Sequence, residues 1–200
     1  GLIDYGAGNL LSVHNALRAR GVEPTLVRAP ADLAGIDKLI LPGVGAFGDC
    51  VENLHRQELW APLRQWLADG RPYFGICLGY HVLFESSEES PGTTGLGILP
   101  GRVVKFADKP GLKVPHMGWN TVGFARPEAA IWRGLPDQSH FYFVHSYFPV
   151  PADPAIIAGR TDYDGVFASA IETGSIQAVQ FHPERSQDNG LAVLAGFATA

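Results

Sequence analysis

Gly75-Ile76-Cys77-Leu78-Gly79 sets a cysteine between glycines two positions away on either side. A nucleophile on a sharp strand-to-helix turn needs that spacing, because larger side chains there would clash across the turn. The turn lifts the thiol above the sheet edge, and the N–H groups that open the following helix favour a thiolate and can receive an oxyanion. The five residues alone are equally compatible with an ordinary buried cysteine. Cys50 has no comparable surroundings and is assigned no chemistry.

A catalytic cysteine needs a base, and seven histidines are available. Only His182 has a telling context. Residues 176–181 read as a strand, and His182-Pro183-Glu184 stands at its C-terminal end, where open parallel sheets place their sites. A carboxylate against one ring nitrogen fixes the tautomer and frees the other nitrogen to exchange a proton with the thiol. Cys77, His182 and Glu184 are therefore a candidate triad. Pro42-Gly43-Val44-Gly45 follows another strand end. It reads either as a simple turn or as a second source of oxyanion donors beside the N–H of Leu78.

Two other chemistries lack their residues. A zinc deaminase reading of His182-Pro183-Glu184 needs a Pro-Cys-x-x-Cys that the sequence does not contain. Gly6-Ala7-Gly8 invites a dinucleotide reading, but Leu11 stands where the third glycine belongs. A formal charge of −5, with no run of Lys or Arg, offers no footprint for nucleic acid or anionic membrane. No apolar stretch approaches the roughly 20 residues of a membrane span, and two cysteines build no disulfide framework, so a cytoplasmic setting is expected. Gly1-Leu2-Ile3-Asp4 already reads as strand with no leader ahead of it, so the sequence is expected to start slightly inside the natural protein.

These candidate residues need a frame to bring them together. Two hundred residues, 46% of them hydrophobic, suit one domain over the whole of 1–200. Leu2-Ile3, residues 22–27, 38–41 and 72–77 read as strands, and Leu10, Val13 and Leu17 keep helical spacing. Residues 49–70 read as helix, with Pro62 expected to divide it. This alternation predicts an α/β fold: an open, mostly parallel central sheet with helices on both faces. Further strands are expected at 101–106, 119–124, 140–148, 156–163, 166–172 and 175–181, as antiparallel extensions of the sheet. A small-residue helix is expected at 188–200.

In that order along the chain, Pro42-Gly43-Val44-Gly45, Gly75-Ile76-Cys77-Leu78-Gly79 and Phe181-His182-Pro183-Glu184 together resemble the class I glutamine amidotransferases. Asp4-Tyr5-Gly6-Ala7-Gly8-Asn9, Pro115-His116-Met117-Gly118-Trp119-Asn120 and Tyr142-Phe143-Val144-His145-Ser146-Tyr147 narrow the resemblance nearly end to end. They look like the branch of that family formed by the glutaminase subunits of imidazole glycerol phosphate synthase, in histidine biosynthesis.

The resemblance implies that Cys77 attacks the glutamine carboxamide, that His182 protonates the departing ammonia, and that a glutamyl thioester is then hydrolysed. It implies Val44 and Leu78 as oxyanion donors, and Gly45, Ser146 and Tyr147 as residues that hold the glutamine backbone. No cofactor and no metal are expected. The implied partner is a (β/α)₈-barrel cyclase subunit in a heterodimer, faced by Asn9, Trp119 and Arg185, through which ammonia reaches a phosphoribulosyl-type substrate. Where the family usually has Met-Gln after Cys-Leu-Gly, Tyr80-His81 stands here. His81 thus occupies a substrate-binding position with a ring that cannot offer both an amide donor and acceptor. A glutaminase of another pathway, and a binding module that keeps the fold without the chemistry, are the competing readings. Residues 115–120 argue against the first and the intact Cys, His and Glu against the second.

Overall fold

A computed structural model of the chain describes residues 1–6 and 9–199. Ala7 and Gly8 of the rejected dinucleotide reading, and Ala200 of the expected last helix, lie outside the described residues. A nine-stranded sheet runs in the order β2-β1-β3-β4-β12-β11-β10-β7-β8. Its parallel half is β1 (Leu2–Ile3), β2 (Leu26–Val27), β3 (Leu39–Leu41), β4 (Tyr73–Ile76) and β12 (Ile176–Val179). Every residue of β3 and β4 is buried, as expected of parallel strands covered on both faces, and this is why they read as unbroken apolar runs. Two apolar clusters occupy the two faces: one gathers Leu54, Leu63 and Trp66, the other Val13, Leu17, Leu194 and Phe197. Helix α1 (Leu10–Arg18) turns Val13, Ala16 and Leu17 inward, which is the helical spacing seen in the sequence.

The antiparallel half is β7 (His116–Phe124), β8 (Ser139–His145), β10 (Ile157–Asp162) and β11 (Val166–Thr173). Residues 140–148, expected as one strand, are two. The chain breaks at Ser146, and β9 (Tyr147–Pro151) leaves for a separate three-stranded sheet with β5 (Ser86–Ser87) and β6 (Gly101–Lys105). The helical stretch also divides elsewhere than expected. Helix α2 (Phe47–Arg56) ends before Glu58, whose φ of +58° is left-handed, and α3 (Trp60–Ala68) carries Pro62 in its first turn. An amide there has no helical acceptor to lose, so the proline is accommodated rather than disruptive. Helix α5 (Gln187–Thr199) ends the described chain. Among the described residues no helix is long and apolar enough to cross a membrane.

The order β3-β4-β12 places the candidate residues together. These adjacent parallel strands point the same way, with Leu41 opposite Gly75 and Ile76 opposite Val179. Residues 42–45, Cys77 and His182 therefore emerge side by side from the carboxyl ends of three neighbouring strands.

Candidate active site

Cys77 has φ +50° and ψ −99°, a backbone conformation that L residues rarely hold unless the surroundings impose it. Its N–H is tied to the Val179 carbonyl at 2.8 Å, and the chain turns at once into the single helical turn α4 (Leu78–His81). The glycine spacing has a direct steric cause. A Cβ on Gly75 would stand 2.5 Å from the Gly79 oxygen, and one on Gly79 would stand 2.0 Å from the Leu41 oxygen. We expect Gly79→Ala to lower stability by about 3 kcal/mol or more, since both partners are backbone and cannot move aside cheaply. For a chain of this size that is a fall in Tm of about 6–12 °C. A Tm within about 2 °C of the parent would show that the elbow tolerates a side chain. The helix behind the nucleophile is a single turn. With one turn its dipole is short, so individual N–H donors carry more of the burden. That of Leu78 heads the turn and has no intrahelical acceptor.

His182 and Glu184 form the second part. His182 Nδ1 lies 2.9 Å from Glu184 Oε1, with the side chains only 2% and 1% exposed. The carboxylate accepts the Nδ1 proton, which leaves Nε2 directed elsewhere and without a hydrogen-bond partner. Burial works against a charge on the ring. The nearby Cys77 sulfur and the Glu184 carboxylate together outweigh it and raise the imidazole pKa to about 10. At neutral pH the ring is an imidazolium, able to give a proton to a leaving group. Backbone bonds hold it: the His182 N–H donates to the Tyr142 carbonyl at 2.9 Å, and the Ser186 hydroxyl donates to the His182 carbonyl at 2.6 Å.

Residues 42–45 pack directly on the elbow. A Cβ on Gly43 would come within 2.6 Å of Leu78 Cβ, while Gly45 has φ +104°, which favours glycine. A cavity of about 310 Å³ opens between these parts, lined by Cys77 and His182 together with Val44, Gly45, Leu78, His81, Ser146 and Tyr147. Every catalytic, oxyanion and substrate residue named from the sequence, except Glu184 behind His182, thus borders one space. His81 is there with its Nε2 already engaged, 2.8 Å from Gln180 Oε1, and burial lowers its pKa to about 4.

No motif in the sequence singles out Glu89 or Gln180, and Val144 and His145 stand in one without an assigned role. Glu89 is a carboxylate on the cavity wall, pushed up by burial although it accepts the Phe47 N–H at 2.9 Å. His145 Nδ1 donates to the Tyr147 carbonyl at 2.8 Å, so its Nε2 accepts from His116 Nδ1 at 3.0 Å, and His116 Nε2 faces Asn120. Burial lowers both rings, His116 to about 4. This relay stiffens the break at Ser146. No spacing in the sequence announced it, since β7 and β8 meet only in the sheet.

The three residues expected to face a partner lie around the back of the triad. Asn9 Nδ2 donates to Glu184 Oε1 at 3.1 Å, the Arg185 guanidinium sits 4.1 Å from the centre of the Tyr142 ring, and Trp119 meets that ring edge-on at 6.2 Å. Trp119 is 48% exposed, and Leu11 and Met117 beside these segments are more exposed still.

The model of the glutamine amidotransferase class-I family matches residues 1–199. The chain is 46% identical over 199 residues to the imidazole glycerol phosphate synthase subunit HisH of Rhodopirellula baltica, covering all of this chain and 96% of that one. It is 46% identical to the protein of the same name from Moorella thermoacetica, over 98% and 92% of the two chains. Among solved structures, PurLQS from Thermotoga maritima superposes with a TM-score of 0.76 at 18% identity over 98% and 95% of the chains. A crystal structure of a glutamine amidotransferase gives 0.73 at 21%, over 98% of each. At such identities the structures speak for the fold alone, whereas the full-length relatives speak for descent: the chain belongs to the class-I glutamine amidotransferase family, in its branch of HisH subunits of imidazole glycerol phosphate synthase.

Proposed function

We propose that this chain hydrolyses glutamine to glutamate and ammonia through Cys77, His182 and Glu184, as the glutaminase subunit of imidazole glycerol phosphate synthase. The observation that carries the reading is the left-handed Cys77 at the end of β4, sharing one cavity with a buried His182–Glu184 pair at the end of the adjacent β12. Fold alone would not suffice.

The Cys77 sulfur attacks the carboxamide carbon, and the carbonyl electron pair moves onto oxygen. N–H groups of Leu78 and Val44 receive that oxyanion. As the carbonyl re-forms, the C–N bond breaks, and His182 gives its proton to the nitrogen so that ammonia leaves. A γ-glutamyl thioester remains. His182, now neutral, takes a proton from water as the water oxygen attacks the thioester carbon, and breaking the C–S bond releases glutamate. Glu184 holds the ring in the required tautomer throughout. Glu89 suits the ammonium group of a free amino acid, and Gly45, Ser146 and Tyr147 border the same space. Exposed Trp119, Met117 and Leu11, beside Asn9 and Arg185, suit a docking face for a (β/α)₈-barrel cyclase in a heterodimer.

Glutamine plus hydroxylamine should yield γ-glutamyl hydroxamate, because hydroxylamine intercepts the thioester. The tagged chain should co-purify with a barrel cyclase subunit. Glutamate formation with no hydroxamate would contradict the covalent route. Glutaminase activity in a chain that never binds such a cyclase would assign it to another glutamine-dependent pathway.

A further inference from the structure

We propose that Gln180 is a further catalytic residue, whose side-chain amide donates a hydrogen bond to the Cys77 sulfur and stabilises it as an anion, and that His81 is the positioning residue that aims this amide. The inference rests on Cys77 being the nucleophile.

Gln180 follows the last residue of β12 and is wholly buried. A buried amide must satisfy both its ends. Its Nε2 lies 3.6 Å from Cys77 Sγ, within reach of a hydrogen bond to sulfur, and its Oε1 lies 2.8 Å from His81 Nε2. The amide could be turned either way, and only one way helps. With the NH₂ end on sulfur it stabilises negative charge, whereas with the oxygen there it repels that charge.

His81 decides which end faces the sulfur. Its ring is 4% exposed and neutral at physiological pH, so it carries one N–H. When that proton is on Nε2 it donates to Gln180 Oε1 and pins the NH₂ on sulfur. The other tautomer would place a bare Nε2 against the amide, invite the NH₂ round, and leave a buried N–H on Nδ1. Nδ1 has no partner, and a buried unpaired donor is the rarer and costlier orphan, so the Nε2–H tautomer is favoured.

The remaining ionisable groups around the sulfur do not replace this donor. His182 from the β12 turn is cationic and gives up its proton during the reaction, with Glu184 behind it. His145 from β8 and His116 from β7 are held neutral by burial. Tyr5, from the loop after β1, has its phenol raised by burial, and Glu89 on the cavity wall, also raised by burial, is already engaged by the Phe47 N–H. When the thioester is hydrolysed the C–S electron pair returns to sulfur. Gln180 is then a neutral donor that His182's proton transfers leave in place.

The test is the rate of Cys77 alkylation by iodoacetamide across pH in the full chain, located by peptide mass spectrometry. Burial pushes the Cys50 thiol up to about 12, so it stays silent. In Gln180→Met and His81→Leu the profile is expected to move to alkaline pH, with the rate on its acid limb falling about tenfold, the size of a lost hydrogen bond to a charge. In the complex, kcat for glutamine should fall with KM little changed. His81→Gln, which can still donate to Gln180 Oε1, should recover most of the alkylation rate that His81→Leu loses. A parental alkylation profile in folded Gln180→Met overturns the proposal, as does a parental profile in His81→Leu if Gln180→Met does not fold. If alkylation of the parent chain leaves glutamine turnover intact, it is the nucleophile assignment that has failed.

Discussion

Replacing Cys77 by alanine abolishes glutamine-dependent synthesis in the assembled enzyme and leaves synthesis from free ammonium unchanged. Only the ammonia source depends on the sulfur, since no other group in the cavity can form the thioester. The loss should be 10³-fold or more, roughly what removing a nucleophile costs in other hydrolases. The substitution is structurally mild. Alanine at φ +50° is strained no more than the cysteine it replaces, and the Val179 bond is made by the backbone. The measurement is turnover with saturating glutamine and, separately, with ammonium salts. Equal loss of both would mean that the change disrupts folding or docking, and residual glutamine activity above a tenth of the parent would remove Cys77 from the mechanism.

That experiment was legible from the sequence because each chemical motif is continuous and stands at a strand end. Gly75 to Gly79 encodes a local steric condition, and the structure meets it with approaches of 2.5 and 2.0 Å that no Cβ could share. Apolar runs gave β3 and β4 for a similar reason: strands buried on both faces leave an unbroken local signal. Non-local pairing was not legible. Residues 140–148 look like one strand, and only the pull of two different sheets, on Ser139–His145 and Tyr147–Pro151, divides them. In the sequence Gln180 reads as a strand residue because its partners are at positions 77 and 81, and His81 reads as a substrate residue although Gln180 already occupies its Nε2. Side-chain networks among distant residues have no sequence period to betray them.

The isolated chain is expected to be a slow glutaminase, and docking of the proposed barrel cyclase with its ligand bound is expected to raise kcat for glutamine by roughly 10² to 10³, the cost of one missing oxyanion donor, about 2.7 to 4 kcal/mol. The device is the segment 42–45. Gly43 is clamped against Leu78 and Tyr5, so one end of the segment cannot move, whereas Val44 is 40% exposed and Gly45 sits at φ +104°. A second cavity of about 280 Å³ lies along Val44 and Gly45, lined also by Tyr5 and Cys50, so the segment has open space besides the glutamine cavity. A peptide fixed at one end, flanked by glycines and bordered by two cavities can rest with a carbonyl where the Val44 N–H is needed. A partner then activates the enzyme by favouring the N–H-inward state, and it must do so by a differential free energy of that same size, since a ligand that binds both states equally shifts nothing. The surface offers a grip on the triad too: Asn9 bonds Glu184 directly, and Arg185 follows it in the chain. Glutamine hydrolysis by the chain alone, by the complex, and by the complex with cyclase ligand decides the matter. Full activity in the isolated chain would mean that the oxyanion hole is already formed and that docking only channels ammonia. Activation by empty cyclase as strong as by the liganded one would place the whole differential energy in the interface, with none left for the cyclase site to signal.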